Sequence, residues 1–394
     1  MESDQQSLSD KPLLLVFPFN RLAHYLRCLV LAARLRPYFR ILLLHSADYA
    51  SFIAQEDFET FNCRALDAAY VMQCIKKFSF GWLKAENLEP VFLDQVRIIK
   101  ELKPYAVLGD QSPTLKMAAE KTGIPYLVLT NGYMTNFYNA PRKISPTHPL
   151  YAFLSLLPDN MAAFFTRTGE ALTFRFIHNS FKRLRKKYGL KPLKNYWQEC
   201  EGDLNLIPDL PQLFPLKKLP SYYKVIPPLF YTSADTALAA SIQLDKTKKT
   251  LLVSMGSSGD WEKVGFLNDA CFQQYNVVTA GDAHHLIKGP TVVSLSFVSA
   301  EAILPFTDLV ICHGGNGTLY QALAYGIPLL CKTSHVEQEW NVQALERKGL
   351  GESLDRISTP IQYQKAVERW IDKKDSAHFL AIKENCRSAI NMFD

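Results

Sequence analysis

A chain of 394 residues is longer than one hydrophobic core usually supports, so two domains are expected. Its 48% apolar and 21% charged residues exclude a disordered or fibrous protein, and the mild net charge of +6, with no nucleic-acid module in the sequence, argues against a nucleic-acid binder. No apolar run reaches the ~18 residues of a membrane span, and the polar start with Glu2, Asp4 and Asp10 is not a secretory signal. The eight cysteines stand singly without a C-x-x-C pair, which predicts free thiols in a reducing cytoplasm rather than a metal or disulfide framework.

In chain order, the apolar run 13–19 (LLLVFPF) has strand length, a helical stretch follows over 23–35, and a second run covers 39–45. Further runs at 105–110 and 125–131 flank a helix near 115–121. Short apolar strands alternating with helices predict a parallel sheet covered on both faces. The section 133–204 is aromatic and irregular, and it holds the chain's one basic concentration, FKRLRKK at 181–187 with Lys191 and Lys194. That run reads either as a solvated helix face or as a contact, from Lys182 to Lys187, for an anionic surface such as the inner face of a membrane. A proline-rich stretch at 208–228 and a polar one at 232–250 place the domain boundary, giving 1–230 and 231–394, with the last helix a candidate to cross back to the first domain. A second strand series follows at 251–255, 275–280, 291–298, 309–312 and 328–333. The expected architecture is therefore α/β, two doubly wound Rossmann-like domains facing across a cleft, with ligands outside the carboxyl ends of the strands.

The segment 308–351 carries the most chemistry. Its strand runs into His313-Gly314-Gly315-Asn316-Gly317-Thr318, which opens a helix that stops at Gly326 with Pro328 behind it. Glycines let a ligand approach the backbone, and free amide groups with the helix dipole make an anion site. Glu337, Gln338 and, three positions on, Asn341 complete the pattern.

This segment resembles the donor-binding region of the UDP-glycosyltransferase superfamily (family 1 glycosyltransferases, GT-B fold). The resemblance implies that His313 and the turn Gly315, Asn316, Gly317 and Thr318 hold the diphosphate of a nucleotide sugar, and that Glu337 and Gln338 hold hydroxyls of its sugar. Asn341 belongs to the same motif. The chain departs from the family at Glu337, where Asp is usual, and at Gln321, where Glu commonly binds ribose hydroxyls. Upstream, Ser257 lies in a glycine-containing loop that resembles the family's first phosphate-facing loop. Phe297 falls where the family's base-stacking aromatic would, although the Pro-Gln that should follow is replaced by Ser299 and Ala300. In the other half, His24 follows the first strand as the family's general base does, and Asp110 ends the fourth strand as its partner does. A histidine oriented by a carboxylate suits proton abstraction near neutral pH.

The resemblance thus implies an inverting transfer from a nucleotide diphosphate sugar, UDP-linked in this family, to the hydroxyl of a small molecule or lipid. It needs no cofactor and no metal, and no Asp-x-Asp motif accompanies the donor region. Two other readings use parts of the same pattern: a non-catalytic nucleotide-sugar sensor or partner subunit, and a nucleotide-sugar epimerase.

Overall fold

The computed structural model describes residues 11–391 except 78, 142, 143, 145–147, 149, 233–241, 282, 296 and 297. The chain divides into two compact units, one built from 1–141 and 157–226, the other from 142–156 and 227–394. The break at 226/227 lies near the end of the proline-rich stretch, and the second unit also takes in 142–156.

The first unit begins with β1 (Leu13–Pro18), α1 (Leu22–Leu35), β2 (Arg40–Leu44), α2 (Ala50–Gln55), β3 (Glu59–Phe61) and α3 (Ala68–Lys76). It continues with α4 (Ala85–Leu102), β4 (Ala106–Asp110), α5 (Leu115–Thr122) and β5 (Tyr126–Leu129). The short α6 (Tyr151–Leu154) belongs to the second unit, after which the first resumes with α7 (Asp159–Lys187), α8 (Tyr196–Glu199), β6 (Leu204–Ile207) and β7 (Tyr223–Val225). Among the described residues the sheet runs β3-β2-β1-β4-β5-β6-β7, parallel throughout. Leu14, Leu15, Val16 and Phe17 of β1 are all buried, as a central parallel strand covered on both faces requires. The core then gathers Phe92, Ile98 and Ile99 of α4 with Phe181 and Leu184 of α7.

The second unit contains β8 (Thr250–Ser254), β9 (Asn276–Ala280), β10 (Val292–Leu295), α9 (Ala300–Ile303), β11 (Leu309–Cys312) and α10 (Asn316–Ala324). After these come β12 (Leu329–Cys331), α11 (Val336–Arg347), β13 (Gly351–Ser353), α12 (Pro360–Ile371) and α13 (Ala377–Asn391). Its sheet order is β10-β9-β8-β11-β12-β13, again parallel. The last helix, α13, packs on α10 within this unit, where Gly326 approaches the Phe379 carbonyl. Thr359 caps α12 in a capping box with Gln362, and Pro360 opens the helix.

Both sheets reverse direction of growth beside their first strand. In the first unit the chain builds β2 and β3 on one side of β1 and then returns to place β4 on the other; β9, β10 and β11 do the same about β8. Such reversals leave a crevice at the carboxyl edge, because the adjoining connections depart to opposite faces. His24 and Asp110 fall at the first of these switch points, and Ser257 and the turn from His313 to Thr318 at the second. All eight cysteines are free thiols. Among the described residues no helix is long and apolar enough to cross a membrane.

Candidate active site

In the first unit, Pro18 of β1 lies in register with Asp110 at the end of β4, so whatever leaves β1 emerges beside that carboxylate. The chain leaves through Phe19, Asn20 and Arg21 into α1, and His24 sits in the first turn of that helix. Its Nδ1 is 2.9 Å from Asp110 Oδ1. With the Nδ1 hydrogen donated to the carboxylate, Nε2 is the nitrogen left to accept a proton. The predicted pair is therefore in contact, and Gln111, directly after Asp110, turns the chain with a left-handed φ of 51°. For a residue with a Cβ that conformation costs roughly 1–2 kcal/mol, a strain typical of functional edges.

The carboxylate has a second partner that sequence reasoning missed. Arg27, one helical turn after His24, donates Nε to Asp110 Oδ2 and Nη2 to Oδ1, a bidentate pair in a buried setting. Its Nη1 donates to Asn131 Oδ1 at 2.7 Å, and Asn131 Nδ2 reaches Asp209 Oδ1 at 3.4 Å. Asp209 also accepts the Gly132 amide hydrogen bond at 2.6 Å. Burial by itself would raise the Asp110 carboxyl, but Arg27 and His24 beside it hold it down at about 2. Asp110 is thus a permanent anion at neutral pH whose charge is shared between a guanidinium and the imidazole. The available signal was an arginine on the apolar face of α1, next to Cys28 and Leu29; a buried cation there needs a fixed anion.

Phe19 packs edge-on against the His24 ring, with centroids 5.7 Å apart. It also lines a small hollow of about 20 Å³ with Phe17, Leu44, Leu66, Val91 and Gln95.

In the second unit the register Ser254↔Cys312 brings the loop after β8 alongside the turn after β11. His313 is buried there, and its glycine neighbours make room for its ring. A Cβ on Gly256, whose φ is 53°, would lie 2.6 Å from His313 Cε1, and one on Gly315 would collide with Nε2. Burial, and next the neighbouring His335, push the His313 imidazole down to about 4, so the ring is neutral at pH 7. Its Nδ1 is buried without a hydrogen-bond partner among the described residues. Gly314 needs its left-handed φ of 84°, and a Cβ there would lie 2.9 Å from Val342 Cγ2.

Gly315 is the N-cap of α10, whose first residues are Asn316, Gly317 and Thr318, all half-buried. The first-turn amides of a helix have no intrahelical acceptor, and together with the helix dipole they form an anion-binding end. Ser257 is exposed in the adjacent loop. Gln321, one turn further, donates Nε2 to the Tyr231 carbonyl at 3.0 Å, which leaves its side-chain oxygen as an acceptor. Glu337 is half-buried in the first turn of α11.

Gln338 and Asn341 have a different setting from Glu337, since both are buried. Gln338 accepts from the Ser334 amide at 2.7 Å and donates to Ser258 Oγ at 3.1 Å, tying α11 to the β8 loop. Asn341 Nδ2 donates to the Gly314 carbonyl at 2.9 Å and so holds the glycine turn in place. The last predicted donor residue, Phe297, lies outside the described residues.

Residues 234–390 match the glycosyltransferase family 28 C-terminal domain. A PGL/p-HBAD biosynthesis glycosyltransferase of Mycobacterium tuberculosis is 29% identical over 273 residues, which is 67% of this chain and 62% of that relative. The chain therefore matches less than two thirds of the relative's length. The calicheamicin glycosyltransferase CalG4 superposes with a TM-score of 0.69 at 19% identity, covering 96% of this chain and 94% of that one. The spinosyn rhamnosyltransferase SpnG, solved with thymidine diphosphate, gives 0.64 at 17% identity and covers 96% of each chain. The fold is GT-B, and the chain is similar to glycosyltransferases in its sequence; the family whose model its C-terminal part matches is glycosyltransferase family 28.

Proposed function

We propose that the protein is an inverting glycosyltransferase that moves a sugar from a nucleoside diphosphate to an acceptor hydroxyl without a metal. His24 Nε2 takes the proton of the acceptor hydroxyl, whose oxygen forms a bond to the anomeric carbon from the face opposite the leaving group. The bond from that carbon to the diphosphate oxygen breaks, and the diphosphate departs with the electron pair. The N-terminus of α10 stabilises the charge that accumulates on it, as fixed dipoles do where no ion is used. Asp110 keeps the His24 ring in the reactive tautomer and stabilises the imidazolium. The observation that carries this reading is the 2.9 Å contact of His24 with Asp110 at the switch point of the first sheet. A pure sensor would have no use for an oriented base there.

The donor diphosphate binds the second unit's turn, with Ser257, Thr318 and the neutral His313 ring as side-chain donors and Glu337 on sugar hydroxyls. Gln338 and Asn341 then act by holding the turn. Removing a hydrogen bond to a charged group costs about 1.5–3 kcal/mol, so His313→Ala should weaken nucleoside diphosphate binding roughly 10–150-fold. Calorimetric titration of a folded His313→Ala protein with unchanged affinity would overturn that role.

We assign UDP as the nucleotide, with Gln321 accepting from the ribose 2′-hydroxyl. One neutral hydrogen bond is worth about 0.5–1.5 kcal/mol, so Gln321→Ala should lower affinity for UDP about 2–10-fold and leave 2′-deoxy-UDP unaffected. Equal losses for both nucleotides would mean that Gln321 does not read the 2′-hydroxyl and would favour a thymidine diphosphate donor, the ligand with which SpnG was solved.

A further inference from the structure

The long helix α7 changes character halfway. From Ile177 onward one face is built into the first unit: Ile177, Phe181 and Leu184 are core residues, and buried Arg185 pairs with Glu199 and Glu120. Between 160 and 176 no residue of the helix is buried. Met161, Phe164, Phe165, Leu172 and Phe176 are all exposed, Phe176 at 76% and Phe164 at 65%.

At about 100° per residue these five side chains fall within a sector of about 120°. The same sector, continued toward the C-terminus, carries Arg175, Lys182, Arg183 and Lys186, all exposed, and no Asp or Glu. The basic run is thereby sorted: Arg185 is spent inside the unit and Lys187 pairs with Glu89, while Lys182, Arg183 and Lys186 face outward. One stripe of a single helix is thus aromatic at one end and cationic at the other.

We propose that this stripe is a docking surface for an anionic lipid bilayer. Aromatic and aliphatic side chains partition into the headgroup and acyl boundary, and lysines and arginines gain from the negative surface potential. Because the two characters follow one another along the axis, the aromatic end dips into the bilayer while the cationic end rests over the phosphates. A second copy of the chain fits the stripe poorly. The stripe carries no Asp or Glu, so neither antiparallel nor parallel pairing sets an anion against Lys182, Arg183 and Lys186. The proposal stands independently of the transfer chemistry.

The test is co-sedimentation of the full chain with vesicles of phosphatidylcholine alone and of phosphatidylcholine with phosphatidylglycerol at about 3:1. The intact protein should partition onto the anionic vesicles only, and raising the salt should release it. Each basic residue near such a surface contributes about fivefold, so Lys182→Ser/Arg183→Ser/Lys186→Ser should bind roughly a hundredfold more weakly. Phe164→Ser/Phe176→Ser should lose at least about tenfold, from apolar burial alone. Both variants should keep the wild-type melting temperature, since every altered side chain is exposed. Absence of vesicle binding by the wild type overturns the proposal, as does equal binding by all three proteins. A wild-type dimer that the phenylalanine variant converts to monomer, with no lipid binding, assigns the stripe to self-association instead.

Discussion

Replacing His24 with Ala should reduce sugar transfer by ~100–10,000-fold, the range general-base catalysis commonly contributes. Binding of the nucleoside diphosphate should survive, because the turn at 313–318 belongs to the other unit. The fold should survive too, since the His24 side chain is partly exposed at the start of α1 and shares Asp110 with Arg27. The loss should therefore appear in kcat, with the affinity for UDP close to wild type. Transfer at the wild-type rate by a folded His24→Ala protein would remove the base from the mechanism. Asp110→Asn is the less discriminating variant. It weakens the orientation of His24 and at the same time breaks the bidentate pair with buried Arg27, so lost activity and lost stability arrive together.

Arg27→Met should have the largest effect on stability. Breaking a buried ion pair from one side costs about 3–5 kcal/mol, because the remaining charge is left uncompensated. In the wild type the folded carboxyl of Asp110, at about 2, lies below the ordinary unfolded value of ~3.9, so its ionisation stabilises the fold above about pH 4 and that contribution fades as the pH falls toward 2. Without Arg27 the burial of Asp110 dominates and its carboxyl moves up instead. The sign then reverses: the variant is penalised most where Asp110 should be ionised, and the penalty shrinks as the pH drops. Urea unfolding should show the gap between wild type and Arg27→Met widest near pH 7 and narrowing toward pH 4. Adding Asp110→Asn to Arg27→Met should recover much of the loss at pH 7. A pH-independent gap with no recovery in the double variant would mean that Arg27 acts by packing alone.

What the sequence made legible follows from how each element is buried. Strands β1, β2, β4, β5, β8, β9, β11 and β12 were readable because central parallel strands are largely apolar, and the edge strand β10 from its shorter Val-Val run. Strand β3, with two of three residues exposed, and β7, a Tyr-Lys-Val inside the proline-rich stretch, carry no such run. Helix α7 escaped because its N-terminal half spreads apolar side chains toward solvent while its C-terminal half buries others on the opposite face, which blurs the helical period. At the candidate site, the family resemblance pointed to His24, Asp110 and the turn from His313 to Thr318, and the structure sets His24 against Asp110. The resemblance could not distinguish Glu337, half-buried at a helix start, from Gln338 and Asn341, which are consumed in holding the turn. Asn131, remote in sequence, meets Arg27, and Asp209 meets Asn131, only because β1, β4, β5 and β6 are neighbours.

Acceptor-dependent release of the nucleotide reads out sugar transfer itself. The purified protein is incubated with a UDP-sugar, with and without a mixture of hydroxyl-bearing acceptors, and free UDP is followed in time. Release should occur only when acceptors are present, continue in EDTA, and be abolished in His24→Ala. Release at the same rate without any acceptor, or none with any acceptor from a protein that binds the UDP-sugar, would contradict transfer to an acceptor.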